Sequence, residues 1–382
     1  MKKVGIMTLY KNNLNYGGML QAYALQKVVQ NLVGAEGECV QISYKLSPTP
    51  IKDKLIHGLQ YRSFRENIIL CINLLKKSSS KKESASSGSE RKAAFEAFEK
   101  SIPHTQQIYT YQTIGECERL FTHLITGSDQ VWNGGVDLDS FCLGFASSYT
   151  KKISYAASSA STRFGKWQDK IFDRNLHSFE AVSVREKSVV PYFEARSGKN
   201  VKTVLDPVFL LAKQEWGKIA IKPQVSSPYV FCYLLGKNED QLKMARKFAR
   251  ENQCKLITFP FLCDYVECNC CTDDMQIYDA GPREFLGLIQ NAQCVITDSF
   301  HATAFSIIFS KPFLALPRFK NDKETNNNHR VVDVLSEFGL TEWYDREEHG
   351  IPRIDYCRAN EIMQLRKKES FDFLKVALED AT

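Results

Sequence analysis

The chain has 382 residues, 43% of them hydrophobic and 25% charged, with a net charge of +6. That length exceeds one ordinary core and fits two α/β domains of a water-soluble protein. Ten Lys and Arg against four acids between residues 52 and 92 account for the whole positive surplus. The remainder is balanced, which excludes a uniformly basic nucleic-acid binder.

The N-terminal MKKVGIMTLYKNN carries an apolar run too short for an export signal and no A-x-A-like cleavage site. No stretch of about 18 apolar residues could span a membrane. Lys2–Leu9 reads as a strand, followed by a polar turn through Asn12, Asn13, Asn15, Tyr16, Gly17 and Gly18. Met19–Leu32 has helical spacing and Cys39–Tyr44 is a second strand, the opening of a doubly wound parallel sheet. Residues 51–75 place Phe64, Ile68, Cys71, Ile72 and Leu75 on one helical face. Residues 76–92, rich in Ser, Lys and Glu, read as a flexible basic loop, and a helix resumes at Lys92–Lys100. Strands follow at His123–Thr126, Ile153–Ala157, Ala181–Val184 and Thr203–Leu205, stopped by Asp206-Pro207.

A second alternating series runs through Tyr229–Leu234, helix 238–252, Lys255–Phe259, helix Pro282–Ile289, Cys294–Thr297, helix 302–309 and Phe313–Leu316. The expected organisation is an N-terminal Rossmann-like domain over residues 1–224, a C-terminal one over 225–360, and a helix within 361–382 packing back on the first domain. The twelve cysteines are mostly scattered through apolar segments, as Cys232, Cys254 and Cys294 are, which fits buried thiols in a reducing cytoplasm. Cys263, Cys268, Cys270 and Cys271 lack the C-x2-C pairing of structural zinc and have no nearby His. They read as loop thiols, with no metal expected.

Ligands of open α/β sheets sit beyond the carboxyl ends of strands. The polar clusters at those ends are Asn15-Tyr16-Gly17-Gly18, Thr126–Asn133, Ser183–Lys187 and Thr297–His301. Two of them open helices, where backbone N–H groups and the helix dipole favour an anion. Neither G-x-G-x-x-G nor G-x-x-x-x-G-K-[ST] is present. Each cluster also has a structural reading: Asp129 as a turn cap, Arg185 as an ion-pair partner of Glu186, Asp298-Ser299 as an N-cap, His301 as a packed first-turn histidine, and Gly17-Gly18 as a tight turn.

The segments GIMTLYKNNLNYGGMLQAYALQ, ITGSDQVWN, SYAASS, VSVREKS, VLDPVFLL and GPREFLGLIQNAQCVITDSFHATAFSIIFSKPFLAL, in this order, resemble the polysaccharide pyruvyl transferase family. The resemblance implies a GT-B-like fold, with two Rossmann-like domains and parallel sheets facing a central cleft. It also implies transfer of pyruvyl from phosphoenolpyruvate to a sugar of galactose type, forming a ketal during capsule or exopolysaccharide synthesis. Such chemistry needs a general acid for C3 of the enol, a base for the hydroxyls, and cations for carboxylate and phosphate. It needs no redox cofactor or obligatory metal, phosphoenolpyruvate being a co-substrate.

His301 suits the acid, since histidine titrates nearest neutrality, and Asp129 is the candidate base. Arg185 offers a bidentate fork. The resemblance points to the Arg of VSVRE and the His of DSFH as donor-binding or catalytic, and likens Arg330 of NNNHRVVDVL to a recurring family arginine. Asp298, Ser299, Asn15, Gly17, Gly18, Asn133 and Lys237 complete the expected substrate-binding set, with Lys311 and His329 as further cations. The competing readings are a GT-B glycosyltransferase using a nucleotide sugar, a non-catalytic carbohydrate-binding relative, and a reductase- or hydrogenase-like protein that recruits the cysteine cluster.

The acceptor implied by the resemblance is a sugar or a lipid-linked oligosaccharide. The basic segment 52–92 would then bring the protein to an anionic membrane surface, each basic residue contributing about 1 kcal/mol; the other reading is a solvated loop beside a core helix. The intact protein is expected to co-float with anionic vesicles at low salt. Deleting Ser78–Ser89 and changing Lys76, Lys77, Lys81 and Lys82 to Gln should abolish this. No flotation of the intact protein would leave the segment a spacer.

Overall fold

The computed structural model describes residues 1–47, 87–134, 137–236, 238–259, 274–318 and 328–379. The first sheet contains β1 Lys3–Met7, β2 Glu38–Gln41, β3 His123–Thr126, β4 Lys151–Ala157, β5 Ala181–Val184 and β6 Lys202–Thr203. Their spatial order is β2-β1-β3-β4-β5-β6, every pair parallel. The second sheet contains β7 Tyr229–Tyr233, β8 Lys255–Thr258, β9 Asp274–Gln276, β10 Cys294–Thr297 and β11 Phe313–Ala315. Its order is β11-β10-β7-β8-β9, again all parallel.

The described helices are α1 Tyr16–Val33, α2 Ser87–Lys100, α3 Leu138–Phe141, α4 Lys166–Asn175, α5 Val190–Ser197, α6 Lys213–Ile219, α7 Glu239–Glu251, α8 Pro282–Asn291, α9 Phe300–Phe309, α10 His329–Glu337 and α11 Cys357–Leu378. Central strands such as β3 and β7 are buried at every residue. Helices covering both faces of a parallel sheet require such unbroken apolar runs. This is the two-sheet α/β fold that the strand–helix alternation predicts, and it has the GT-B-like form that the resemblance implies.

The two halves share one apolar core. Tyr16, the first residue of α1, stacks on Phe285 of α8 at 4.7 Å and meets Tyr233 of β7 edge-on at 5.8 Å. Its hydroxyl donates to the Ala280 carbonyl at 2.9 Å. The last helix, α11, is tied to the first sheet: Leu205 N donates to Ser370 Oγ at 3.0 Å and Lys2 Nζ to the Leu378 carbonyl at 2.6 Å.

Two expectations are corrected. Gly17 and Gly18 lie inside the first turn of α1 rather than in a turn before it, because the Asn15 side chain caps the helix by accepting from Gly18 N. Residues 87–92 are not loop; they begin α2, while 48–86, including the expected helix 51–75, lie outside the described residues. What orders this turn is Arg91, only 4% exposed. It donates to the carbonyls of Ile277 and Tyr278, both at 2.9 Å, and lies 5.4 Å from the Phe259 ring. A residue of the basic segment thus fastens α2 to the second domain.

Arg91→Met keeps the apolar stem and removes two charge-assisted hydrogen bonds, so urea unfolding should show a loss of about 2–4 kcal/mol. A change under about 0.5 kcal/mol would mean that the contact contributes nothing.

Candidate functional site

The chain leaves β1 for β2 on one side and returns to β3 on the other, so the strand order reverses between β1 and β3. In the second sheet it reverses between β7 and β10. Crevices form at such reversals, beyond the carboxyl ends of the strands. The first crevice carries the Asn15 cap and the Gly127–Asn133 loop; the second carries residues 234–236 and the Asp298–His301 corner.

His301 occupies the second position of α9, whose N-cap is Ser299, with its side chain accepting from Ala302 N. The imidazole reaches across to α1. A Cβ on Gly17 would stand 1.8 Å from His301 Nδ1, so Gly17 leaves its space to the histidine ring of the other domain rather than to a ligand. Gly18 faces the Leu9 carbonyl and the Asp129 carboxylate, which lie 2.9 and 3.5 Å from a hypothetical Cβ. Asp298 braces its corner: its two oxygens accept from the N–H groups of Leu235 and Gly236, each at 2.7 Å, and Arg318 Nε lies 3.7 Å away. Burial pushes the Asp298 carboxyl up, against Arg318 and those N–H groups. Asn15, Ser299 and Asp298 therefore shape the site by capping and bracing.

Beneath His301 lies a buried charge network. Arg185 donates through Nη1 to Asp206 Oδ2 at 2.8 Å, through Nε to Glu186 Oε1 at 3.3 Å and through Nη2 to Ser158 Oγ at 2.9 Å. Its guanidinium lies 4.2 Å from the Phe300 ring of the second domain. Burial alone would depress it, but Glu186 and Asp206 outweigh burial and hold it above its ordinary value. Ser128 Oγ also donates to Asp206 Oδ2, at 3.1 Å, and His301 Nε2 lies 3.7 Å from that oxygen. Burial would raise the Asp206 carboxyl; His301 and Arg185 together hold it far below the usual range.

Arg330, on α10, differs from Arg185. It is 6% exposed, and its Nε is buried without a hydrogen-bond partner. Burial, then the like charges of Arg185 and Arg318, bring its pKa down to about 10. Asp333, one turn on, has a carboxyl pushed up by burial and an unpaired buried Oδ2.

The buried Asp129 carboxylate lies among these cations and lines an adjoining cavity of about 360 Å³ in the first domain, together with Asn13, Asn15, Gln130 and Asn133. Asp129, Arg185, His301 and Arg330 are thus gathered at one seam, while Asn133 stands on the wall of the neighbouring cavity. Lys311 does not join them. It precedes β11, at the amino-terminal end of the strand and so away from the carboxyl ends that carry the site, beside Lys213. Lys237 and the four clustered cysteines lie outside the described residues. Sequence reasoning missed Arg318 and Asp206 as site residues. Both follow strand ends, Arg318 after β11 and Asp206 after β6, and that position was the available signal.

A provisionally assigned UDP-N-acetylglucosamine 2-epimerase from Listeria monocytogenes superposes with a TM-score of 0.52 at 9% identity, covering 95% of each chain; this likeness shows the fold alone. A UDP-GlcNAc 2-epimerase from Methanocaldococcus jannaschii gives 0.48 at 11% identity, covering 96% of this chain and 99% of its own. No curated protein matches the chain in sequence. The sequence model of one family, described as Polysaccharide pyruvyl transferase, matches residues 15–318, and the chain belongs to that family.

Proposed function

We propose that this member of a family of polysaccharide transferases moves pyruvyl from phosphoenolpyruvate to two hydroxyls of a hexose such as galactose, closing a pyruvate ketal on a capsule or exopolysaccharide precursor. The observation that carries the reading is Arg330: a buried guanidinium whose Nε has no hydrogen-bond partner, its pKa brought down to about 10 by burial and the fields of Arg185 and Arg318 against those of Asp129 and Glu186. A cation in that state gains from any anion placed beside it. A donor bearing a carboxylate and a phosphate supplies two, within reach of a histidine at a helix start.

In this scheme His301 protonates C3 while positive charge develops at C2. One sugar hydroxyl attacks C2, phosphate leaves toward Arg330 and Arg318, and the second hydroxyl closes the ring. Asp129, between the cations and the first-domain cavity, takes a hydroxyl proton. The cavity beside it has the volume to hold a sugar. The test is incubation with phosphoenolpyruvate and galactosides, reading phosphate release and a product mass increased by pyruvate less water. Thermal protection by a nucleotide sugar and not by phosphoenolpyruvate would favour the glycosyltransferase reading instead.

His301→Gln is expected to fold normally and to lose roughly 10²–10⁴-fold in turnover. Turnover near that of the wild type would return His301 to a packing role.

Arg330→Met removes a buried charge whose Nε lacks a hydrogen-bond partner, so the free protein should melt at the same or a higher temperature. Its apparent affinity for phosphoenolpyruvate should fall about 10–100-fold, the loss of one or two charged hydrogen bonds. A destabilised variant with unchanged donor KM would make Arg330 structural.

A further inference from the structure

The second half of the histidine's environment comes from the other domain. Asp206 closes the N-terminal half of the molecule, just after β6, and its side chain has no solvent exposure. Its orientation is fixed from three sides. Oδ1 accepts from Val208 N at 3.1 Å, capping the short 3-10 turn Pro207–Phe209. Oδ2 accepts from Arg185 Nη1 and Ser128 Oγ. The face of Oδ2 turned to the second domain meets His301 Nε2 at 3.7 Å, and that nitrogen has no hydrogen-bond partner.

We propose that Asp206 is the positioning residue of His301, holding the ring with Nε2–H toward the first domain and leaving Nδ1, beside the start of α1, as the nitrogen that exchanges a proton with the substrate. If Nε2 were unprotonated, its lone pair would face a carboxylate in a dry interior, an unfavourable contact that a proton on Nε2 turns into an attraction. Nε2 is buried while the His301 side chain keeps 9% of its surface exposed, so the accessible part of the ring lies away from Nε2. Gly17, having no Cβ, makes room for the Nδ1 edge beside the start of α1.

This assignment rests on His301 being the acid of the proposed transfer. The proton on Nδ1 passes to C3 of the donor, and the ring is left neutral as the Nε2–H tautomer. Of the two protons lost by the sugar hydroxyls, one restores the imidazolium and the other, taken up by Asp129, leaves on the phosphate. Asp206 stays ionised throughout, orienting the ring without taking the proton.

The test is nitrogen-15 NMR of histidine-labelled protein, with the His301 signal assigned by its loss in His301→Gln. The neutral wild-type ring is expected as the Nε2–H tautomer. In Asp206→Asn, whose amide can donate, the preference should shift toward Nδ1–H, and phosphate release from phosphoenolpyruvate should fall roughly 10²-fold or more. An Nδ1–H ring in the wild-type protein overturns the proposal even if Asp206→Asn does not fold. So does an Asp206→Asn protein with unchanged tautomer and turnover within twofold of wild type. The tautomer is read without substrate, so an Nε2–H ring in a protein that does not consume phosphoenolpyruvate would sink the donor assignment and not the pairing.

Discussion

The buried ion pair between Arg185 and Asp206 is the constraint on which the seam between the domains depends. Neither charge can be left alone in a water-free interior, and breaking such a pair costs about 3–5 kcal/mol. The surrounding chain is arranged accordingly. Ser128 follows β3, Ser158 follows β4, Arg185 and Glu186 follow β5, and Asp206 follows β6, so four successive strand ends of the first sheet converge on one carboxylate–guanidinium contact. The second domain closes over it with Phe300 and His301. A cation that is fully answered by acids leaves its neighbours to do the binding, which is why Arg330 stands out from Arg185 although both are buried arginines on the same seam.

Rigidity comes from elsewhere. Tyr16 sits in an aromatic cluster with Phe95, Tyr233, Phe259 and Phe285, so the helix that opens the first domain is also part of the core of the second. Arg91 adds a polar fastening between the same two halves. The capped start of α1 and the capped start of α9 are thereby held face to face. Such preorganisation lets polar groups act on a reacting centre without first rearranging.

Much of the fold was legible because parallel strands covered on both faces must be continuous apolar runs, which interrupt the helical periodicity visibly. The start of α1 was misplaced because two glycines oppose a helix locally, and the Asn15 cap and the packing of Tyr16 outweigh them. The order at residues 87–92 was hidden because Arg91 looks like any other charge of a Lys/Ser-rich stretch until Ile277 and Tyr278 are brought to it. At the site, the residue types were readable but not their pairing. Arg185 could be foreseen beside Glu186, its neighbour in sequence, but not bound to Asp206. Asp206 itself read only as a strand stop, and Arg318 was not singled out.

The void at residue 17 ties two distant positions of the chain into a single steric unit. The imidazole of His301 fills the volume that any side chain at position 17 would claim. A relative of this fold that keeps the histidine must keep glycine at the helix start, whatever the helix would otherwise prefer. One that has lost the histidine is released from that demand and gains helix propensity by taking alanine there, about 1 kcal/mol. Paired change at these two positions would mark the members of the fold that have given up the chemistry while keeping the architecture.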